Sequence, residues 1–132
     1  MENKRLLKLV LAPGILFLVS LSLFIIFARE EAQEFYGLSS TTVTGESNFL
    51  FYPLSIYMFL IGCGVMYFKT EQLKFIEAWL CMGIVFPIIR FFSMIISGVE
   101  LSNFILLALP GEVLLGPIIG YLWYQERKNL QS

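Results

Sequence analysis

The stretch "FIEAWLCMGIVFPIIRFFSMII", Phe75–Ile96, is the one on which the fold turns. As an α-helix rising 1.5 Å per residue it would be about 33 Å long. A bilayer's hydrocarbon core is roughly 30 Å thick. Only Glu77 and Arg90 are charged within it. Three further runs share its length and character: Leu6–Phe27, Phe49–Phe68 and Phe104–Trp123. In lipid every backbone N–H and C=O must bond inside the protein, so such runs read as helices. The 132-residue chain is 58 % hydrophobic and 14 % charged, more apolar side chain than one soluble core of that size can bury. The expected fold is all-α: one transmembrane domain over residues 1–132, an up-down-up-down four-helix bundle with a long connection over 28–48.

Lysine and arginine set the orientation. Lys4 and Arg5 precede the first run and Lys8 lies in its first turn, Lys69 and Lys74 lie between the second and third, and Arg127 and Lys128 follow the fourth. The connection Ala28–Asn48 holds only Arg29, and Ser97–Asn103 holds neither residue type. Both termini are therefore expected in the cytoplasm, in a multi-pass protein of the cell's inner (plasma) membrane. The first run is longer than a signal-peptide core and "IFAREEA" is a poor cleavage site, so it reads as a retained span. In the long connection, "REEAQEF" could extend the first helix, and "GLSSTTVTGESN" reads as irregular. No internal repeat marks a transporter built from two halves.

Within the apolar runs, polar residues fall at one depth. Arg90 is about 9 Å below the outer end of the third run, and Glu112 about 12 Å below that of the fourth. An isolated charge at the bilayer centre costs roughly 2.5–3.5 kcal/mol on insertion scales. Opposite charges at similar depth on consecutive helices invite an intramembrane salt bridge. Ser20, Ser22, Ser55 and Tyr57 lie about 8–12 Å deep in the first two runs, and Ser93 is one turn from Arg90. Two readings stand for this layer: structural polar contacts, serines often bonding their own helix, or a binding site for a ligand or ion.

The fourth run carries a ridge of Ala108, Glu112, Gly116 and Gly120 at four-residue spacing. Gly116 and Gly120 form a G-x-x-x-G that lets another backbone approach, whether the first helix, the third or a second protomer. Pro87, Pro110 and Pro117 can bend their helices. Trp79, Trp123 and Tyr124 read as interfacial aromatics, and Glu77 as a carboxylate that reaches the interface. Cys63 and Cys81 are far apart and read as small packing residues.

The second half resembles a family of small bacterial four-span membrane proteins of uncharacterised function. The resemblance rests on "IIRFFSMIISGVE", residues 88–100, followed by "LPGEVLLGPIIGYLW". Arg90, Ser93, Gly98 and Glu112 match the family's pattern of an Arg, a Ser three residues on, a Gly at the helix end and a Glu in the last span. "NFLFYPLSIYMFLIGCGVMYF" is similar to its second span. Ile89 stands where the family usually has Gly, and Phe51 or Tyr52 where it often has Arg. The resemblance implies the four-span fold and Arg90 and Glu112 as residues to test. It implies no activity.

The chain has no His and no Asp, which removes most metal, haem and proton-relay chemistry; no cofactor is expected. No Ser has a base placed beside it, so no enzyme is read. A net charge of −1 gives no reason to expect nucleic acid. The leading reading is a non-enzymatic membrane protein of the lipid bilayer that binds a lipid-like ligand or a protein partner, the latter a different protein or a second copy in a homo-oligomer, through the polar layer. The alternative is a small oligomeric transporter or channel with Glu112 as its titratable group. If Arg90 and Glu112 pair, Arg90→Leu or Glu112→Leu alone should lower folded yield, since breaking a buried pair costs about 3–5 kcal/mol in soluble proteins. The double variant should recover much of it. Additive losses in detergent melting curves would show that the two do not pair.

Overall fold

The computed structural model describes residues 2–36, 43–97 and 103–131, the side chains of 43, 44, 46, 93, 97, 103–109, 112 and 131 excepted. Five helices form: α1 (Glu2–Phe27), α2 (Arg29–Tyr36), α3 (Val43–Thr70), α4 (Lys74–Ser97) and α5 (Asn103–Gln131). The four long helices contain the four apolar runs. Among the described residues, three of them carry a stretch long and apolar enough to cross a bilayer: α1, Ser47–Thr70 of α3 and Lys74–Ile96 of α4. The chain is in this sense a multi-pass membrane protein. The fourth expected span, Phe104–Trp123, includes side chains outside the described residues.

Two readings of the long connection are corrected. "REEAQEF" does not prolong α1: the helix breaks at Ala28 and α2 begins at Arg29. Hydrogen bonds bracket the break, from Ala28 N–H to Phe24 C=O (2.9 Å) and from Ala32 N–H to Ala28 C=O (2.8 Å). "VTGESN", read as irregular, is the start of α3. Once the following apolar turns are helical, extending them at the N-terminus needs no new nucleus, and the hydrogen bond gained per residue offsets the modest penalty of Ser, Thr and Gly. Residues 37–42 lie outside the described residues.

Contacts run α1 to α3, α3 to α4, α4 to α5 and α5 back to α1. The bundle is thus a ring of consecutive antiparallel neighbours. One end gathers the start of α1, the α3–α4 turn and the end of α5; we call it the near end. There Lys8 Nζ donates to Glu71 Oε1 at 2.6 Å and Lys4 Nζ to Glu71 Oε2 at 3.3 Å, while Lys4 lies 4.0 Å from Glu126. Glu126 is only 4 % exposed. Glu71 ends α3 in the left-handed region (φ 55°), its N–H bonded to Tyr67 C=O at 2.8 Å. The bonds from Lys8 and then Lys4 hold its carboxyl below the usual carboxylate range.

The surface is apolar where a soluble protein's would be polar. Phe27 and Ile96 are 82 % and 81 % exposed, and Leu16, Phe91 and Ile95 are also open. Patches of this extent mark contact with something other than water, here lipid. Inside, the ridge on α5 meets α4. A Cβ on Gly116 would lie 3.1 Å from the carbonyl oxygen of Gly83, and one on Gly83 3.3 Å from Gly116 Cα. A Cβ on Gly120 would touch Leu80 at 3.5 Å. The third apolar helix is therefore the ridge's neighbour, and Gly83, not singled out from sequence, is what receives it.

Gly116→Val should lower the melting temperature in detergent, because the added carbons meet backbone that cannot rotate away; overpacking of this kind costs about 1–3 kcal/mol. Gly62→Val is the control, since a Cβ there meets nothing within 4 Å. Equal melting of the two variants would remove the close approach from the account of stability.

Candidate functional site

Buried side chains form two clusters. Leu7, Leu11, Tyr67, Ile76, Ile119 and Leu122 fill the near half, and Leu21, Ile25, Ala32, Phe49 and Tyr57 the far half. Between them lies a half-open cavity of about 160 Å³ with a wall from each long helix. Helical spacing explains the walls. Gly14, Phe17, Leu18 and Leu21 recur at one face of α1, and Trp79, Met82, Gly83 and Phe86 at one face of α4. α3 adds Tyr57 and Leu60; α5 adds Gly111, Leu115, Gly116 and Ile119. Gly111 leaves its part of the wall open, since a Cβ there would meet only Leu115, at 3.9 Å.

Trp79 is the fixed element of this site, and its expected place at the interface is corrected. The indole points into the bundle. Its N–H donates to Leu60 C=O on α3 at 2.9 Å. A Cβ on Gly14 would stand 3.0 Å from the ring, so α1 admits the indole only because residue 14 is glycine. Trp123 is half-buried, with the Arg127 guanidinium 5.0 Å from its ring centroid, and Tyr124 and Glu77 are exposed. Cys63 is half-buried and Cys81 exposed, and neither is in a disulfide.

At the far end Tyr57 is buried, and its hydroxyl lies 2.8 Å from that of Tyr36 on α2. Burial, and then the bond to Tyr57, pushes the Tyr36 phenol well above its ordinary range, so it keeps its proton at any physiological pH. α2 is further seated by edge-on ring contacts, Phe35 against Phe24 and Tyr36 against Phe49, both at 5.8 Å. Tyr36 was not identified from sequence. Its signal was the spacing of Ala32, Phe35 and Tyr36 in an otherwise acidic segment, one apolar face of a short helix.

The structure brings together only part of the expected polar layer. Tyr57 is in the cavity wall. Arg90 is half-buried, and the register of α4 places it seven residues on from Gly83 and four from Phe86, on the cavity side one turn beyond it. Position 112 falls on the strip of α5 that holds Leu115, Gly116 and Ile119. The side chains of Glu112 and Ser93 lie outside the described residues. Ser20 and Ser55 do not join the layer. Both are exposed and donate to carbonyls of their own helices, Leu16 at 3.0 Å and Phe51 at 2.6 Å. A hydroxyl bonded back in this way needs no partner across the bundle.

Comparisons with protein-family models, with curated proteins and with solved structures give no match.

The phenol pair ties α2 to the cavity wall. Tyr57→Phe and Tyr36→Phe should each lower stability by about 0.5–1.5 kcal/mol, the net worth of one hydrogen bond. In the double variant the losses should not add, because each single change already removes the same bond. Additive losses would mean that the two hydroxyls are stabilised separately.

Proposed function

We propose that the chain is a non-enzymatic four-span membrane protein that holds the apolar part of a lipid-like molecule in the cavity between its long helices. α5 is the fourth span: it packs along α1 and α4, both of which carry candidate spans. Both termini face the cytoplasm of a plasma membrane, on the lysine and arginine distribution. Kinship with the small four-span family that Arg90, Ser93, Gly98 and Glu112 resemble belongs to the same proposal.

The observation that carries the reading is the cavity. An engineered apolar cavity of about 150 Å³ stays free of water and binds benzene. A space of about 160 Å³ with apolar walls therefore takes a small apolar group more readily than water. Its half-open form lets the rest of a larger molecule continue outside. Arg90 stands on the strip of α4 that continues the cavity wall, where its charge can orient a polar end. Two apolar residues would serve a packed bundle as well as a charge pair, so an Arg at 90 and a Glu at 112 in otherwise apolar runs favour recognition over packing.

Native mass spectrometry of gently extracted protein tests this. The wild-type chain should carry a bound lipid-like molecule. Gly111→Leu should lose it without melting earlier, because a Cβ at 111 meets only Leu115, at 3.9 Å, and the larger side chain grows into the cavity. Helix propensity also favours Leu over Gly by roughly 0.8 kcal/mol. A wild-type protein with nothing bound, or a variant that retains the same molecule, would sink the proposal.

A further inference from the structure

We infer that the occupant of the cavity presents a ring, not an acyl chain: the ligand is a ring-bearing, membrane-soluble molecule. The inference rests on the reading of the cavity as a ligand site and names the class that fits it.

Three of the four walls carry aromatic side chains, Phe17 from α1, Tyr57 from α3, and Trp79 and Phe86 from α4. An aromatic face is electron-rich and its edge electron-poor, so a ring placed among such groups gains edge-to-face and offset contacts that a saturated chain does not. Met82 adds a thioether, which also favours ring edges. The fourth wall is different. α5 offers no ring: Gly116 is covered by Gly83, and the space is bordered by Gly111 beside the aliphatic Leu115 and Ile119.

Size and rigidity point the same way. The space of about 160 Å³ holds one six-membered ring with substituents, whereas an acyl chain has most of its length left outside. A ring has no torsions to freeze on entry, but each ordered methylene of a chain loses rotational freedom. The walls are also set in advance. Trp79 is tied to Leu60 C=O and seated against Gly14, so it does not swing into the space when the ligand leaves.

The test uses Trp79 as its own reporter. The chain has two tryptophans, and Trp123→Phe removes the other, whose indole N–H is buried without a partner. The purified variant, in detergent, is titrated with 4-phenylbutan-1-ol and with decan-1-ol, and each affinity is referred to that alcohol's own partition into the micelle, because decan-1-ol has the larger apolar area. Both should change Trp79 emission saturably. The phenyl alcohol should bind about fivefold tighter, the factor that one aromatic pair supplies at about 1 kcal/mol. Adding Gly111→Leu should abolish both responses, and adding Phe17→Leu or Phe86→Leu should shrink the preference while decanol still binds. Decanol binding as tightly or more tightly, still lost with Gly111→Leu, would overturn the ring and leave the cavity standing. Responses to neither alcohol that Gly111→Leu removes would overturn the cavity reading, and the ring with it.

Discussion

The contact of Gly83 with Gly116 is the point on which the bundle hangs. α4 is sparsely anchored: apart from Ile76 at its near end, none of its described residues is fully buried. Its middle faces outward with Ile84, Val85, Ile88 and Ile89. In lipid such side chains gain nothing by turning inward, since the surroundings are as apolar as the interior. What holds α4 to α5 is therefore close van der Waals contact of backbone on backbone, open only to residues without a Cβ. Closing the ring at this point brings Trp79, Met82 and Phe86 opposite α1 and α3, and so defines the cavity.

The same glycines draw the borders of the cavity. Gly83 and Gly116 seal one edge, where α4 and α5 touch backbone to backbone. Gly14 does the complementary thing on α1, admitting an indole from α4 that reaches the α3 backbone. One side chain thereby links three helices. The cavity is bounded on the near side by this wedge and on the far side by Tyr57, which α2 reaches through Tyr36. Its walls belong to all four long helices, yet the groups that shape it are few.

How much of this was legible depends on the physical signal involved. Hydropathy marks length and solvent, so Phe75–Ile96 anticipates α4 (Lys74–Ser97) to within a residue at each end. It does not mark what continues beyond the lipid, so the start of α3 at Val43 and the end of α5 at Gln131 went unread. Depth could be read for Ser20, Ser55 and Tyr57, but azimuth could not. The two serines turned outward onto their own carbonyls, and the tyrosine turned in. Trp79 was misplaced for a related reason. A tryptophan near a helix end usually sits at the interface, and nothing in its own neighbourhood reveals that a glycine on another helix, Gly14, opens a seat for it. The α5 ridge was visible from its spacing, whereas its counterpart Gly83, a lone glycine, had no pattern to announce it.

The three-residue knot of Lys4, Lys8 and Glu71 has a consequence for assembly. A chain made from its N-terminus displays both lysines long before Glu71 exists. Glu71 meets them only if α1 and α3 run the same distance in opposite senses. Should either helix lie flat on the surface instead of crossing, the partners stand apart by up to the hydrocarbon thickness, about 30 Å. The left-handed backbone at Glu71, unfavourable for a residue with a side chain, is then left without the bonds that accompany it in the folded protein. The knot is thus a mark of return: it closes only where α1 and α3 bring Glu71 back to the end at which Lys4 and Lys8 began.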